Sequence, residues 1–252
     1  MQIGFTSTTF KKLDPIEICD LAVTSGADCI EWSDLHIPHP ARAREIAARC
    51  AGSGVACCSL GSYYHVGEND ASRWKNLCET AAALGAGWIR VWLGRRGSAE
   101  TGEEEYAALL ADAKRMTRLA ANCGLTVAAE AHPNTCNDSC AASLRFLRDL
   151  AEPGFATYFQ SLYLDMPADL DRLARTFPYT RAAHVSFSEV PLRLRLPGEG
   201  RVESVVRALI QRVFQGPVLL EFVSRDDPGA FARDMARLRA IVKDEENRRG
   251  QD

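Results

Sequence analysis

The sequence predicts a single (β/α)8 barrel spanning residues 1–252, and three observations carry that prediction. Eight short apolar segments alternate strictly with eight longer amphipathic ones. Glycines mark the joins between them. The length suits one complete barrel of this class, and no Pro/Gly/Ser-rich linker divides the chain.

In chain order, the strand candidates are 2–5, 28–32, 55–60, 87–93, 125–131, 160–165, 181–187 and 217–223. Helical patterns fall near 14–25, 40–52, 70–84, 103–123, 138–150, 167–176, 201–213 and 227–246. Strands separated by helices must pair in parallel, because each connection crosses back over the sheet. Eight such units favour a closed barrel over an open sheet, and no Gly-x-Gly-x-x-Gly follows the first strand. Gly26, Gly54, Gly85 and Gly124 each stand at the end of a helical pattern just before a strand, where a residue free to adopt positive φ stops a helix. Asp14-Pro15 and Asp138-Ser139 read as helix starts, each with a side-chain acceptor for free N–H groups. The charged tail 243–252 is expected to fray.

Composition narrows the function. With 46% hydrophobic and 25% charged residues the chain can bury a large core. A net charge of −3 and the lack of a basic stripe argue against nucleic-acid and anionic-membrane partners. Neither a signal-peptide pattern nor a run long enough to span a membrane is visible. The nine cysteines are odd in number, scattered from Cys19 to Cys140 and free of Cys-x-x-Cys, which fits reduced, buried thiols in a cytoplasmic protein. Cys136 and Cys140, close to the candidate site, have reactivity as the alternative reading.

The chemistry gathers at the strand ends, where side chains of a parallel barrel converge on the loop face. The fifth strand closes on Glu130, the sixth on Asp165, the seventh carries His184 and the eighth closes on Glu221. Singly, each has a bland explanation as a cap, a solvated loop residue or a core histidine. Together, three carboxylates in one barrel mouth would repel one another unless protonated or neutralised by a cation. One divalent ion resolves that conflict, and an oxygen-rich set with one imidazole suits Mn, Mg, Co or Zn.

The segments Ala129-Glu130-Ala131-His132-Pro133-Asn134-Thr135, Tyr163-Leu164-Asp165, Ala183-His184-Val185-Ser186, Pro197-Gly198-Glu199-Gly200-Arg201-Val202 and Leu220-Glu221 resemble the sugar-phosphate isomerase/epimerase family of xylose-isomerase-like TIM barrels. The likeness runs from Ile3 to Glu221. It implies that Glu130, Asp165, His184 and Glu221 hold the metal, and that Glu130 and Glu221 form the acid/base pair. The implied reaction removes a proton beside a carbonyl of a sugar, ketose or polyol ketone, phosphorylated or not, through an enediolate stabilised by the cation.

Strand alternation turns His132 to the same side as Glu130, as a substrate contact or as an orienting neighbour. Arg90 shares a face with Trp92 and needs an anionic partner, either Glu31 or a substrate anion. His65 follows the third strand and can reach the mouth. Tyr63, Tyr64, Phe5, Trp32 and Trp92 are candidates for an apolar wall. Arg193, Arg195 and Arg201 flank a glycine-rich helix start suited to a phosphate or carboxylate, or else pair with nearby glutamates. Arg195 is taken as the substrate contact of that group.

The chain departs from the family at Ala168, where free-ketose epimerases carry His, and at Ser186 and Phe187, where many relatives place Lys and Asp. The rival readings are a metal-dependent dehydratase of a keto-inositol or related polyol, an abasic-site endonuclease, and a non-catalytic sugar-binding barrel. Five histidines and the acidic balance are too few and too negative for the multi-zinc nuclease. A small-molecule partner is expected, and a homo-oligomer stays open.

Overall fold

The computed structural model describes residues 1–161, 165–187 and 200–250. Eight strands close into a barrel in sequence order. They are β1 (Ile3–Thr6), β2 (Cys29–Ser33), β3 (Ala56–Val66), β4 (Trp88–Leu93), β5 (Thr126–Glu130), β6 (Phe155–Phe159), β7 (Thr180–Val185) and β8 (Val218–Leu220). Every pairing is parallel, and β1 against β8 completes the ring. Eight α-helices lie outside: α1 (Pro15–Ser25), α2 (Pro40–Gly52), α3 (Ala71–Leu84), α4 (Glu103–Ala121), α5 (Cys140–Leu150), α6 (Met166–Thr176), α7 (Arg201–Gln211) and α8 (Pro228–Arg249). None of the described helices is long and apolar enough to cross a membrane.

The helix ends follow from local chemistry. Asp14 accepts from the Ile16 amide at 2.8 Å while Glu17 accepts from the Asp14 amide at 2.8 Å, a reciprocal cap that starts α1 at Pro15. Ser139 caps α5 through the Ala142 amide. Gly26 ends α1 at φ 67°, a left-handed conformation that costs a glycine little. By contrast α5 ends at Ala151, with φ 49° and no glycine to announce the stop.

Three strands differ from the sequence prediction. The sixth was expected at 160–165 and lies instead at Phe155–Phe159. The turn at Pro153-Gly154 precedes an alternating aromatic and β-branched run that pairs on both sides, Val127 with Phe155 and Phe159 with Ala183. Residues 162–164 fall outside the described residues, and Asp165 stands at the N-terminal cap of α6. β3 runs on to Val66 and so includes His65, which was expected in a loop. β8 stops at Leu220, one residue before Glu221, although the Glu221 amide still bonds the Val185 carbonyl at 2.8 Å.

Two apolar layers result from the period-two alternation of the strands. Outward residues such as Ile30, Ile89, Val91, Val127 and Ala183 pack against the helices. There Phe231 of α8 meets Phe5 and Phe10 edge-on, at ring centroids of 4.7 and 5.2 Å. Inside the barrel, Cys29, Cys58, Trp88, Ala128, Tyr158, Ala182 and Leu219 form a separate cluster, with small residues opposite the two large rings. This plug is the floor on which the polar site stands.

Candidate metal centre

Two residues further along six of the strands, the same inward face changes from apolar to polar. Cys29 is followed by Glu31, Trp88 by Arg90, Ala128 by Glu130, Tyr158 by Gln160, Ala182 by His184, and Leu219 by Glu221. A single step of the pleat therefore raises a ring of ionisable groups above the plug.

Arg90 holds the ring together. Its Nε donates to Glu31 Oε1 at 3.2 Å and its Nη1 donates to Glu130 Oε2, with the three side chains only 5%, 2% and 3% exposed. Glu31 also accepts from the Tyr158 hydroxyl at 2.6 Å and from Ser59 Oγ at 2.9 Å, and Trp88 Nε1 donates to the same Tyr158 oxygen. Trp92 Nε1 donates to Glu130 Oε2 at 2.7 Å. Gly61 makes the crossing possible, since a Cβ there would sit 3.0 Å from Glu31 Oε1 and 3.1 Å from Arg90 Nη2.

His184 connects the two halves of the ring. Its Nε2 is buried and lies 3.3 Å from Glu31 Oε1. Its Nδ1 faces Gln160 Oε1 at 3.2 Å, Glu130 Oε1 at 3.5 Å and Glu221 Oε2 at 3.8 Å.

The charges divide unevenly. Burial opposes ionisation of Glu130, yet Arg90, helped by His184, overrides it and holds this carboxyl well below the usual range. Glu31 follows the same balance, burial against Arg90 and then His184, and falls to about 2. Burial disfavours a charged His184, but Glu221 and Glu31 raise it to about 10. Burial also pushes Glu221 up, to about 7, with Glu130 and Glu31 acting in the same direction against His184 and Arg90.

Among the described residues, Glu130, His184 and Glu221 each offer one ligand atom, and these atoms lie within 4.8 Å of one another. Ligands opposite each other around an ion such as Mg²⁺, at about 2.0–2.1 Å each, stand about 4.2 Å apart, so a small inward movement suffices. Two carboxylates and an imidazole suit a divalent cation. The residues present therefore fit the ion.

The other sequence candidates fare differently. Asp165 is exposed and belongs to no ligand group, because the strand that was to carry it lies earlier in the chain. Of the two partners open to Arg90, Glu31 or a substrate anion, the structure shows the carboxylate: its guanidinium is buried between Glu31 and Glu130 and is not free to contact substrate. His132 and His65 both pack on Trp92, at ring centroids of 5.2 and 5.0 Å, and Tyr63 joins them at 5.4 Å. All four rings are half-buried. His132 Nδ1 pairs with the Pro133 carbonyl at 2.8 Å, and His65 Nδ1 with the Gly94 carbonyl at 2.7 Å. Burial lowers the His65 pKa, which keeps its ring neutral.

Arg193 and Arg195 lie outside the described residues. Arg201 is buried, donating to Asp169 Oδ2 at 2.9 Å and Ser161 Oγ at 3.0 Å, so it serves α6–α7 packing. All nine cysteines are free, and burial raises the Cys136 and Cys140 thiols away from reactivity. Sequence reasoning missed Gln160 and the support that Tyr158 and Ser59 give Glu31; the inward parity of Tyr158 is the signal that reveals them.

Comparison with known proteins agrees with this architecture. The family profile described as "Xylose isomerase-like TIM barrel" matches residues 19–241. No curated protein sequence matches the chain. Among solved structures, an L-ribulose 3-epimerase superposes with a TM-score of 0.81 at 14% identity, covering 99% of this chain and 97% of that one. The probable 3-DHS dehydratase AsbF of Bacillus anthracis gives 0.80 at 16% identity, with coverage of 94% and 98%. A xylose isomerase-like TIM barrel protein from Mycobacterium smegmatis, in complex with magnesium, gives 0.72 at 14% identity, with 97% of each chain covered. At these identities the superpositions speak for the fold alone. With its profile match spanning most of the sequence, the chain belongs to the xylose isomerase-like TIM-barrel family.

Proposed function

We propose that this barrel is a divalent-metal-dependent isomerase or epimerase of a sugar, ketose or polyol ketone. The observation that carries the reading is the convergence of Glu130, His184 and Glu221, two carboxylates and an imidazole within reach of one ion. Two carboxylates from different strands of one barrel mouth can act as base and acid toward a substrate held between them. Nearby, the epimerase likeness and the magnesium-bound relative supply context for the same assignment.

A bound divalent cation supplies Lewis-acid stabilisation of negative charge developing on substrate oxygens. The protein's own side chains supply the rest. Glu130, kept ionised by Arg90 and Trp92, accepts the proton from the carbon beside the carbonyl. Glu221, from the end of β8, carries the proton that is returned to the neighbouring carbon or the opposite face. Glu31 faces His184 Nε2 and so directs Nδ1 toward the ligand cluster. Trp92, flanked by Tyr63, His65 and His132, offers a partly exposed aromatic wall for the apolar face of a sugar ring. A neutral His65 suits a hydroxyl partner better than a phosphate. The substrate is a small molecule, with neither nucleic acid nor membrane as a partner.

A dehydratase is the second reading, favoured by the likeness to AsbF. It uses the same proton abstraction and then expels a β-hydroxyl. Incubation in heavy water with Mn²⁺ and a panel of ketoses, polyol ketones and their phosphates tests both. Deuterium in a recovered isomer supports isomerisation or epimerisation, an unsaturated or deoxy product supports elimination, and no exchange with any compound rejects the proton-transfer reading.

A further inference from the structure

The ring of strand ends contains a residue that neither the family likeness nor charge would single out. We propose that Gln160, not Asp165, supplies the sixth-strand ligand of the metal site, through its side-chain oxygen. This inference rests on the metal-site reading above and names the fourth member of its donor set.

Three observations meet at Gln160. First, β6 ends at Phe159, and Tyr158 is inward in the barrel plug, so Gln160 returns to the inward face two residues later. Second, the pairing of Tyr158 with Ala182 puts Gln160 beside His184 in the next inward layer. Third, Gln160 Oε1 lies 3.2 Å from His184 Nδ1, the nitrogen that also faces Glu130 Oε1 at 3.5 Å and Glu221 Oε2 at 3.8 Å. Three oxygens from β5, β6 and the end of β8 thus surround one imidazole nitrogen from β7. The Gln160 backbone is anchored as well, since its carbonyl accepts from the buried Arg172 guanidinium. Asp165 is exposed and stands at the N-terminal cap of α6, beyond the end of β6 at Phe159.

The substitution changes the chemistry of the site. Two carboxylates, one neutral imidazole and one neutral amide balance a divalent cation, whereas a third carboxylate would leave a surplus negative charge. An amide oxygen is a hard donor but a weaker one than a carboxylate, so a bound cation keeps more of its pull on substrate oxygens. The cation should also be held less tightly than in a three-carboxylate site.

Mn²⁺ binding, followed by calorimetry and by loss of the free-ion electron paramagnetic resonance signal, reads this without any substrate. Gln160→Ala is expected to weaken Mn²⁺ binding by about tenfold or more, as for disruption of a metal shell. Gln160→Glu, which keeps the oxygen in place and adds charge, should bind at least as tightly as the parent, and Asp165→Ala should stay within about twofold of it. Should Gln160→Ala not fold, by circular dichroism, the comparison of Gln160→Glu with Asp165→Ala still decides. Weaker binding by Gln160→Glu, parental binding by a folded Gln160→Ala, or loss of binding in Asp165→Ala would each overturn the proposal. Failure of the parent protein itself to bind Mn²⁺ would instead reject the metal-site reading on which it stands.

Discussion

Replacing Arg90 with Met removes the guanidinium that Glu31 and Glu130 share. The side chains of all three are at most 5% exposed, so water cannot take over the role of the guanidinium. Breaking a buried pair by deleting one partner costs about 3–5 kcal/mol, because an uncompensated charge stays behind. Here two carboxylates are left, with His184 as the remaining counter-charge. For a chain of this size each kcal/mol moves the melting temperature by about 2–4 °C, so a fall of roughly 6–20 °C is expected. The sign with pH follows from the carboxylates. Arg90 holds Glu31 down at about 2, and without it burial raises that value. The destabilisation should therefore be largest at neutral and alkaline pH and shrink toward pH 5, where protonation removes the buried charge. Urea unfolding followed by circular dichroism at several pH values measures this, and Glu31→Gln in the Arg90→Met background should restore part of the loss. A cost below about 1 kcal/mol at neutral pH, a value typical of an exposed pair, would refute the reasoning.

Glu130→Gln and Glu221→Gln should each lower solvent-proton exchange into substrate by about 10²–10⁴-fold while leaving circular dichroism unchanged; near-normal turnover in both removes the acid/base assignment. In chelated protein, Mn²⁺ must displace the proton that neighbouring carboxylates hold on His184 up to about 10, and below about 7 also the one on Glu221. Affinity should therefore rise as pH increases from 6.5 to 8.5, with proton release detectable by calorimetry in buffers of different ionisation enthalpy, and a flat profile would contradict this charge arrangement. Phe231→Ala, which empties the edge-on contacts with Phe5 and Phe10, should cost about 3–5 kcal/mol in urea unfolding without altering Mn²⁺ affinity. Removal of the exposed pair between Lys75 and Glu79, through Glu79→Gln, should cost no more than about 1 kcal/mol in the same assay.

What the sequence could reveal depended on how local the signal was. Most of the barrel is written in short-range chemistry: the reciprocal cap at Asp14 and Glu17, Pro15 at the start of α1, and glycines at Gly26 and Gly85 with positive φ. Glu130, His184 and Glu221 were legible because charged or imidazole groups at the ends of apolar runs stand out. The sixth strand was harder to place. Helix α5 ends on Ala151 rather than glycine, so the boundary lacks its usual mark, and Leu162-Tyr163-Leu164-Asp165 imitates an apolar strand closed by an acid. That displacement hid Gln160, which is uncharged and becomes conspicuous only when the inward parity of β6 is known. The fate of Arg90 also lay beyond local pattern. Its partners are 59 and 40 residues away in sequence and meet it only through closure of the barrel.

The most direct test of the account is diffraction from crystals grown with Mn²⁺, with data collected across the manganese absorption edge. A single strong anomalous peak ligated by Glu130, His184 and Glu221 is the expected result. No peak at saturating Mn²⁺, or a peak elsewhere with these three side chains unmoved, would contradict it.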